Sequence, residues 1–226
     1  MRLLRALPLL LVPATLALVG GPIPARAGSV VGTVAIPPEA QSLYTAYHAD
    51  MYVGHVMPGG MRQEAMPSDT TYGVAYIDEP PGGGEAPAAA LLDQYHRRFV
   101  PRILAVVSGQ SVEFRNTDDV YHNIFSYSPP KRFDLGRYPR GRSKLVSFRK
   151  LGAVQIYCDI HSDMRADLLV VPGPLFGYVN AQWQYRIENV PPGPHRLVVW
   201  FPSGGGERRT VTVEADAPAV GAATSP

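Results

Sequence analysis

Ala153-Val154-Gln155-Ile156-Tyr157-Cys158-Asp159-Ile160-His161-Ser162-Asp163-Met164 is the stretch from which the rest of the chain can be read. Its first half alternates apolar and polar residues, the period of a strand with one buried face. The pattern then breaks into a short polar loop, and a second apolar run begins at Ala166. Two strands joined so tightly put a thiol, an imidazole and a thioether on one strand-to-strand connection. Those three side chains are the soft and borderline donors of a transition-metal site.

Cys158 is the sole cysteine in 226 residues. Upstream, Arg2 and Arg5, an apolar run over residues 7–19 and the Ala25-Arg26-Ala27 step have the layout of a secretory leader. Cleavage after Ala27 by a Sec-type route to a periplasm is therefore expected. Exported proteins ordinarily pair their cysteines, and Cys158 has nothing in the chain to pair with. A buried core thiol, an intermolecular bridge and a metal thiolate are the three roles left to it.

Loss of residues 1–27 removes Arg2, Arg5 and Arg26, leaving 18 basic against 19 acidic residues, a net charge of −1. Nucleic-acid binding, which a basic domain would signal, is not expected. After the leader no segment offers roughly 20 uninterrupted apolar residues, so stable membrane insertion is not expected either.

Working outward from Cys158, stretches rich in Val, Ile, Tyr and Phe recur, punctuated by 22 glycines and 23 prolines. This predicts an all-β chain. Strands are expected over 29–36, 71–77, 103–107, 111–116, 143–148, 153–158, 166–171, 185–190, 195–201 and 209–214, with one short helix allowed over 88–96. Pro80-Pro81-Gly82-Gly83-Gly84 and Pro172-Gly173-Pro174 mark boundaries, and the end of the chain reads as a frayed tail. The expected organisation is a leader (1–27), the first half of a host sandwich (28–90), an inserted domain (91–172), the second half of the host (173–216) and a flexible tail (217–226). Neither flank alone has enough strands to close a sandwich, so the two are expected to pair.

His122 lies 36 residues before Cys158, just past the strand ending Glu113-Phe114-Arg115-Asn116. Two antiparallel strand ends would bring it beside the Cys158 loop. Thiolate and two imidazoles make a trigonal set, and a long, weak thioether bond on the axis completes the arrangement that copper takes in one-electron sites. One fixed geometry then serves both oxidation states, and coordination protects the lone thiol from an oxidising compartment. The metal ligands expected are His122, Cys158, His161 and Met164. Asn123 is expected to bond across to Cys158 and Asp159, with its backbone N–H donating to the sulfur.

Phe99-Val100-Pro101, the run from Val107 through Asn116, Asp119, His122-Asn123 and Cys158-x-x-His161-x-x-Met164 together resemble a cupredoxin, with a short ligand loop similar to that of amicyanin. Residues 91–172 with their flanks more closely resemble the periplasmic, plastocyanin-like methylamine-utilization proteins. That resemblance implies a cupredoxin Greek-key β-sandwich carrying one type 1 copper, inserted in a carboxypeptidase-regulatory-like β-sandwich. Val190-Pro191-Pro192-Gly193-Pro194-His195 and the strand after it are similar to the later part of that host. It also implies single-electron transport between periplasmic redox proteins, with no substrate turned over. The alternative is a copper storage or delivery protein that does not redox-cycle, and a third class keeps the fold without metal.

Three features admit two readings each. Met164 is an axial ligand or a loop-packing residue. His48, Met51, His55, Met57, Met61 and Met66 offer Cu(I) a second set of soft donors, or else cover one end of a sandwich. Residues 131–150 carry +7 against −8 for the rest of the chain after the leader, and this basic face either steers an acidic redox partner or is merely solvated. No Ser-His-Asp set or carboxylate pair points to an enzyme.

Overall fold

The computed structural model describes residues 27–35, 71–79, 87–202, 206–213 and 218–224. All regular structure among the described residues is β. In chain order the strands are β1 (Gly28–Ala35), β2 (Gly73–Ile77), β3 (Ala90–Tyr95), β4 (Arg98–Val100), β5 (Ile103–Val107), β6 (Ser111–Asn116), β7 (Phe125–Ser126), β8 (Phe133–Asp134), β9 (Ser143–Ser147), β10 (Gly152–Tyr157), β11 (Arg165–Val171), β12 (Phe176–Val179), β13 (Gln184–Val190), β14 (Gly193–Trp200), β15 (Gly206–Val213) and β16 (Pro218–Thr224).

These strands form four sheets, ordered β4-β3-β6-β9, β5-β11-β10-β7-β8, β12-β2-β14-β15 and β13-β1-β16. The first two make one sandwich. Along β6 every second residue is buried, which puts Val112 and Phe114 inside. They meet Leu92 and Phe148 from their own side and Val154, Ile156, Ala166 and Leu168 from the facing sheet. The other two sheets make a flanking sandwich around Val30, Ala75, Ile77, Ile187, Leu197 and Val199.

Strands from both ends of the chain build that flanking sandwich: β1 pairs with β13, and β2 lies between β12 and β14. The strands of the first sandwich, β3 to β11, thus lie in the chain between its two parts. Why the two bodies stack can be read from burial. β5 is buried at every position and β11 at all but its first, so both faces of each are covered. Leu104, Val106, Leu168 and Val170 point into the first core, while Ile103, Ala105, Leu169 and Val171 join Val74 in a third apolar layer between the sandwiches. Tyr76, Phe176 and Trp200 of the flanking sandwich pack against this layer. The Ala105 N–H, on an edge strand, donates to Tyr178 Oη at 3.1 Å.

Two expectations need correction. Residues 88–96 form no helix: they contain β3, which pairs in parallel with β6 and buries Leu92 and Gln94 on one face. The period of two there is short and broken by polar residues, which let it pass for a helical turn. The end of the chain also holds a strand, β16, running parallel to β1 from Ser29↔Pro218 to Ala35↔Thr224. The free edge of β1 supplies the hydrogen bonds that a run of small residues could not reveal by pattern.

Candidate metal centre

β10 ends at Tyr157 and β11 begins at Arg165, paired to each other in antiparallel register. The loop between them therefore turns back over the end of the sandwich and carries Cys158, His161 and Met164. The Met164 N–H donates to the His161 carbonyl at 3.0 Å, which closes the loop into a tight turn. On the other side, His122 is held by a two-way backbone bridge to Tyr138, its N–H donating at 3.3 Å and its carbonyl accepting at 2.9 Å. Tyr157 pairs with Phe125, so the segment containing His122 is registered against the cysteine strand.

The result is convergence. Cys158 Sγ lies 3.9 Å from His122 Nδ1 and 3.9 Å from His161 Nδ1, and the two Nδ1 atoms lie 3.1 Å apart. All three donor atoms fall within 4.8 Å of one another. His122 is fully buried, Cys158 is buried, and His161 is partly exposed at the outer edge. Met164 is buried in the same apolar cluster as Cys158, at the base of the loop. Among the described residues no other group of three such side chains comes together.

Burial alone would push the Cys158 thiol up. The hydrogen bond with His122 and the backbone N–H groups of Asn123, His161 and Ile160 outweigh it and bring the thiol down from 9.0 to about 6. A thiolate is thus available at neutral pH. Burial would lower His122, but its bonds with Cys158 and Asp118 hold it above its ordinary value.

The residues around the three donors divide between the site and the surface. The Asn123 backbone N–H donates toward Cys158, and its side-chain Oδ1 is buried with no hydrogen-bond partner. Asp159 pairs with Arg137 at 3.1 Å, on the surface. Asp119 is 81 % exposed and pairs with Arg140. The carboxylate that reaches the site is its neighbour Asp118, whose Oδ2 accepts from His122 Nε2 at 2.9 Å. An Asp four residues before a His was the only sequence signal for it, and that spacing is too common to stand out. His48, Met51, His55, Met57, Met61 and Met66 lie outside the described residues.

Three donors aimed at one point are a poor arrangement without an ion. Two ring nitrogens at 3.1 Å present lone pairs to each other unless one is protonated or an ion is bonded to both. A single ion bonded to both nitrogens and the sulfur removes that conflict. The set of one thiolate and two imidazoles, with a thioether nearby in the core, fits copper, and zinc could occupy the same three donors.

No protein-family profile and no curated protein matches the chain. Among solved structures it is similar to a purple cupredoxin from Nitrosopumilus maritimus, at 22 % identity over 36 % of this chain and 98 % of that one, TM-score 0.33. It is similar to a reduced tryptophan-to-tyrosine variant of amicyanin at 20 % identity over 42 % of this chain and 97 % of that one, TM-score 0.35. It also matches a copper-containing nitrite reductase from Thermus scotoductus SA-01 at 24 % identity, TM-score 0.36, over 41 % of this chain but only 25 % of that one.

Proposed function

We propose that this chain is a mononuclear, type 1 copper protein that carries single electrons between redox partners. The observation that supports it most strongly is the meeting of His122 Nδ1, Cys158 Sγ and His161 Nδ1 at one end of a rigid sandwich. A copper ion held there would supply one-electron redox chemistry. The protein's part is to fix the donors. β10, β11 and the His122–Tyr138 bridge hold the ligand segments by backbone hydrogen bonds, so little needs to move between oxidation states.

Access favours electron passage over catalysis. Of the four expected ligands, His122, Cys158 and Met164 are buried and His161 reaches solvent, which leaves an edge for a partner to approach. The proposal extends to a single copper, with Met164 as its weak axial donor, and to periplasmic donor and acceptor proteins reached through the leader pattern of residues 1–27. It extends also to the finer likeness to the methylamine-utilization type, supported by the insertion of these strands between β2 and β12.

Redox titration of the copper-loaded protein tests this reading. An intense visible band that bleaches on reduction and returns on oxidation is expected. Tight, colourless Cu(I) that does not cycle and passes readily to a chelator would replace electron transfer by delivery. Copper content near zero after expression in copper-replete medium would sink both.

A further inference from the structure

Asp118 sits behind His122, on the face of the imidazole away from the donor cluster. Its Oδ2 accepts from His122 Nε2 at 2.9 Å and from the Arg97 backbone N–H at 2.6 Å, while its Oδ1 accepts from the Asp119 N–H at 3.0 Å. The Asp118 N–H in turn donates to Asn116 Oδ1 at 2.9 Å, and Asn116 Nδ2 reaches the carbonyls of Val120 and Tyr138. The carboxylate is only 12 % exposed and His122 is fully buried. This is a braced group rather than a surface acid that happens to lie close.

The brace comes from an unusual turn. β3 and β4 are joined by His96 and Arg97, with φ of 49° and 55°. Both residues are in the left-handed region, where a two-residue hairpin ordinarily places Asn or Gly. A side chain there is disfavoured, yet the turn aims the Arg97 N–H straight at Asp118. The carboxylate oxygen can only accept, so Nε2 must carry the hydrogen, and Nδ1, beside Cys158 Sγ and His161 Nδ1, is the nitrogen left for an ion on the other side of the ring.

We propose that Asp118 is a positioning residue for the metal centre: braced by the His96-Arg97 turn, its carboxylate fixes the His122 ring with Nδ1 toward the ion and, through its charge, favours the oxidised state of a bound copper. A charge on the far side of the ring makes imidazole a stronger donor, which stabilises Cu(II) over Cu(I). The second half of this claim rests on the copper reading. The first half does not, since any ion held by Nδ1 meets the same ring.

The test uses the full chain with two variants and two metals. In Zn(II)-loaded, 15N-labelled protein the His122 Nε2–H is expected as a low-field proton protected from exchange with water. D118A should lose that protection and bind Zn(II) about 10–100-fold more weakly. D118N keeps an acceptor oxygen and removes the charge, so it should hold the ring proton and the Zn(II) affinity. Its copper form should nonetheless shift the Cu(II)/Cu(I) preference about tenfold toward Cu(I), a rise of about 59 mV in potential. A folded D118A with an unchanged ring proton and affinity would overturn the positioning role. An unchanged potential in D118N would overturn the charge effect, and lower thermal stability as the sole change in both variants would reduce Asp118 to scaffold. Failure of copper itself is separable, because the wild-type protein would then lack a reversible copper couple while the Zn(II) experiment still reported on the ring.

Discussion

The flanking sandwich and the sandwich that holds the His122–Cys158–His161 cluster each bury an imidazole, and they treat it in different ways. His195, in the flanking body, has an acceptor on either side: Nε2 donates to the Pro191 carbonyl at 2.7 Å and Nδ1 meets the Glu79 carboxylate. Its polar atoms are satisfied by the protein alone. His122, in the other body, is satisfied on one side by Asp118, while its second nitrogen faces a sulfur and another ring nitrogen. Burial of a polar group is tolerated where partners answer it. What separates the two histidines is therefore the kind of partner: oxygen acceptors on both sides of His195, and beside His122 Nδ1 a sulfur and a ring nitrogen that are themselves metal donors.

The comparison can be broken first at the level of the two cores. Leu168→Ala in the body that holds the cluster and Leu197→Ala in the flanking body should each cost about 2–5 kcal/mol, since both side chains are almost fully buried. The apolar layer of Val74, Ile103, Ala105, Leu169 and Val171 couples the bodies, so chemical denaturation should show one transition that both variants shift. Two transitions, each moved by one variant, would mean that the sandwiches unfold separately.

His195→Ala sharpens the contrast between histidines. It strips the Pro191 carbonyl and Glu79 of a donor and should cost about 1–3 kcal/mol, with the visible spectrum of the copper-loaded protein unchanged. A spectral change would tie the flanking body to the metal.

The thiol gives a pH signature that the flanking body lacks. In the metal-free protein Cys158 should titrate with a midpoint at about 6, read from thiolate ultraviolet absorption, against 9.0 for an ordinary thiol. The sign follows from an acidic group held lower when folded: its contribution to stability is complete above 9.0 and lost as pH falls through about 6. A midpoint near 9 would mean that the bonds from His122 and the backbone amides are not made in solution.

The smallest effect belongs to the surface. Arg137→Gln removes the exposed pair with Asp159 and should change stability by less than about 1 kcal/mol. A larger loss would mean that this pair holds the ligand loop in place.

Much of this arrangement was legible in the sequence because it rests on local pattern. β5 and β6 coincide residue for residue with the strands expected over 103–107 and 111–116, the first a continuous apolar run and the second alternating, and Cys158, His161 and Met164 share one loop whatever the fold around them. What escaped depends on long-range pairing. β3 exposes Leu91 and buries Gln94, so its polarity pattern does not declare a strand without β6 beside it, nor does that of β16 without the edge of β1. Asp118 and Asp119 are adjacent and chemically identical. Only the position of the Arg97 turn, 21 residues earlier, decides which of them faces His122.

The most direct measurement is the absorption and electron paramagnetic resonance spectrum of the copper-loaded protein beside that of Cys158→Ala. Coordination by the sulfur predicts an intense charge-transfer band with a narrow hyperfine pattern in the wild type, both absent from the variant. Identical spectra would contradict it, and the meeting of His122, Cys158 and His161 would then have to be explained without copper.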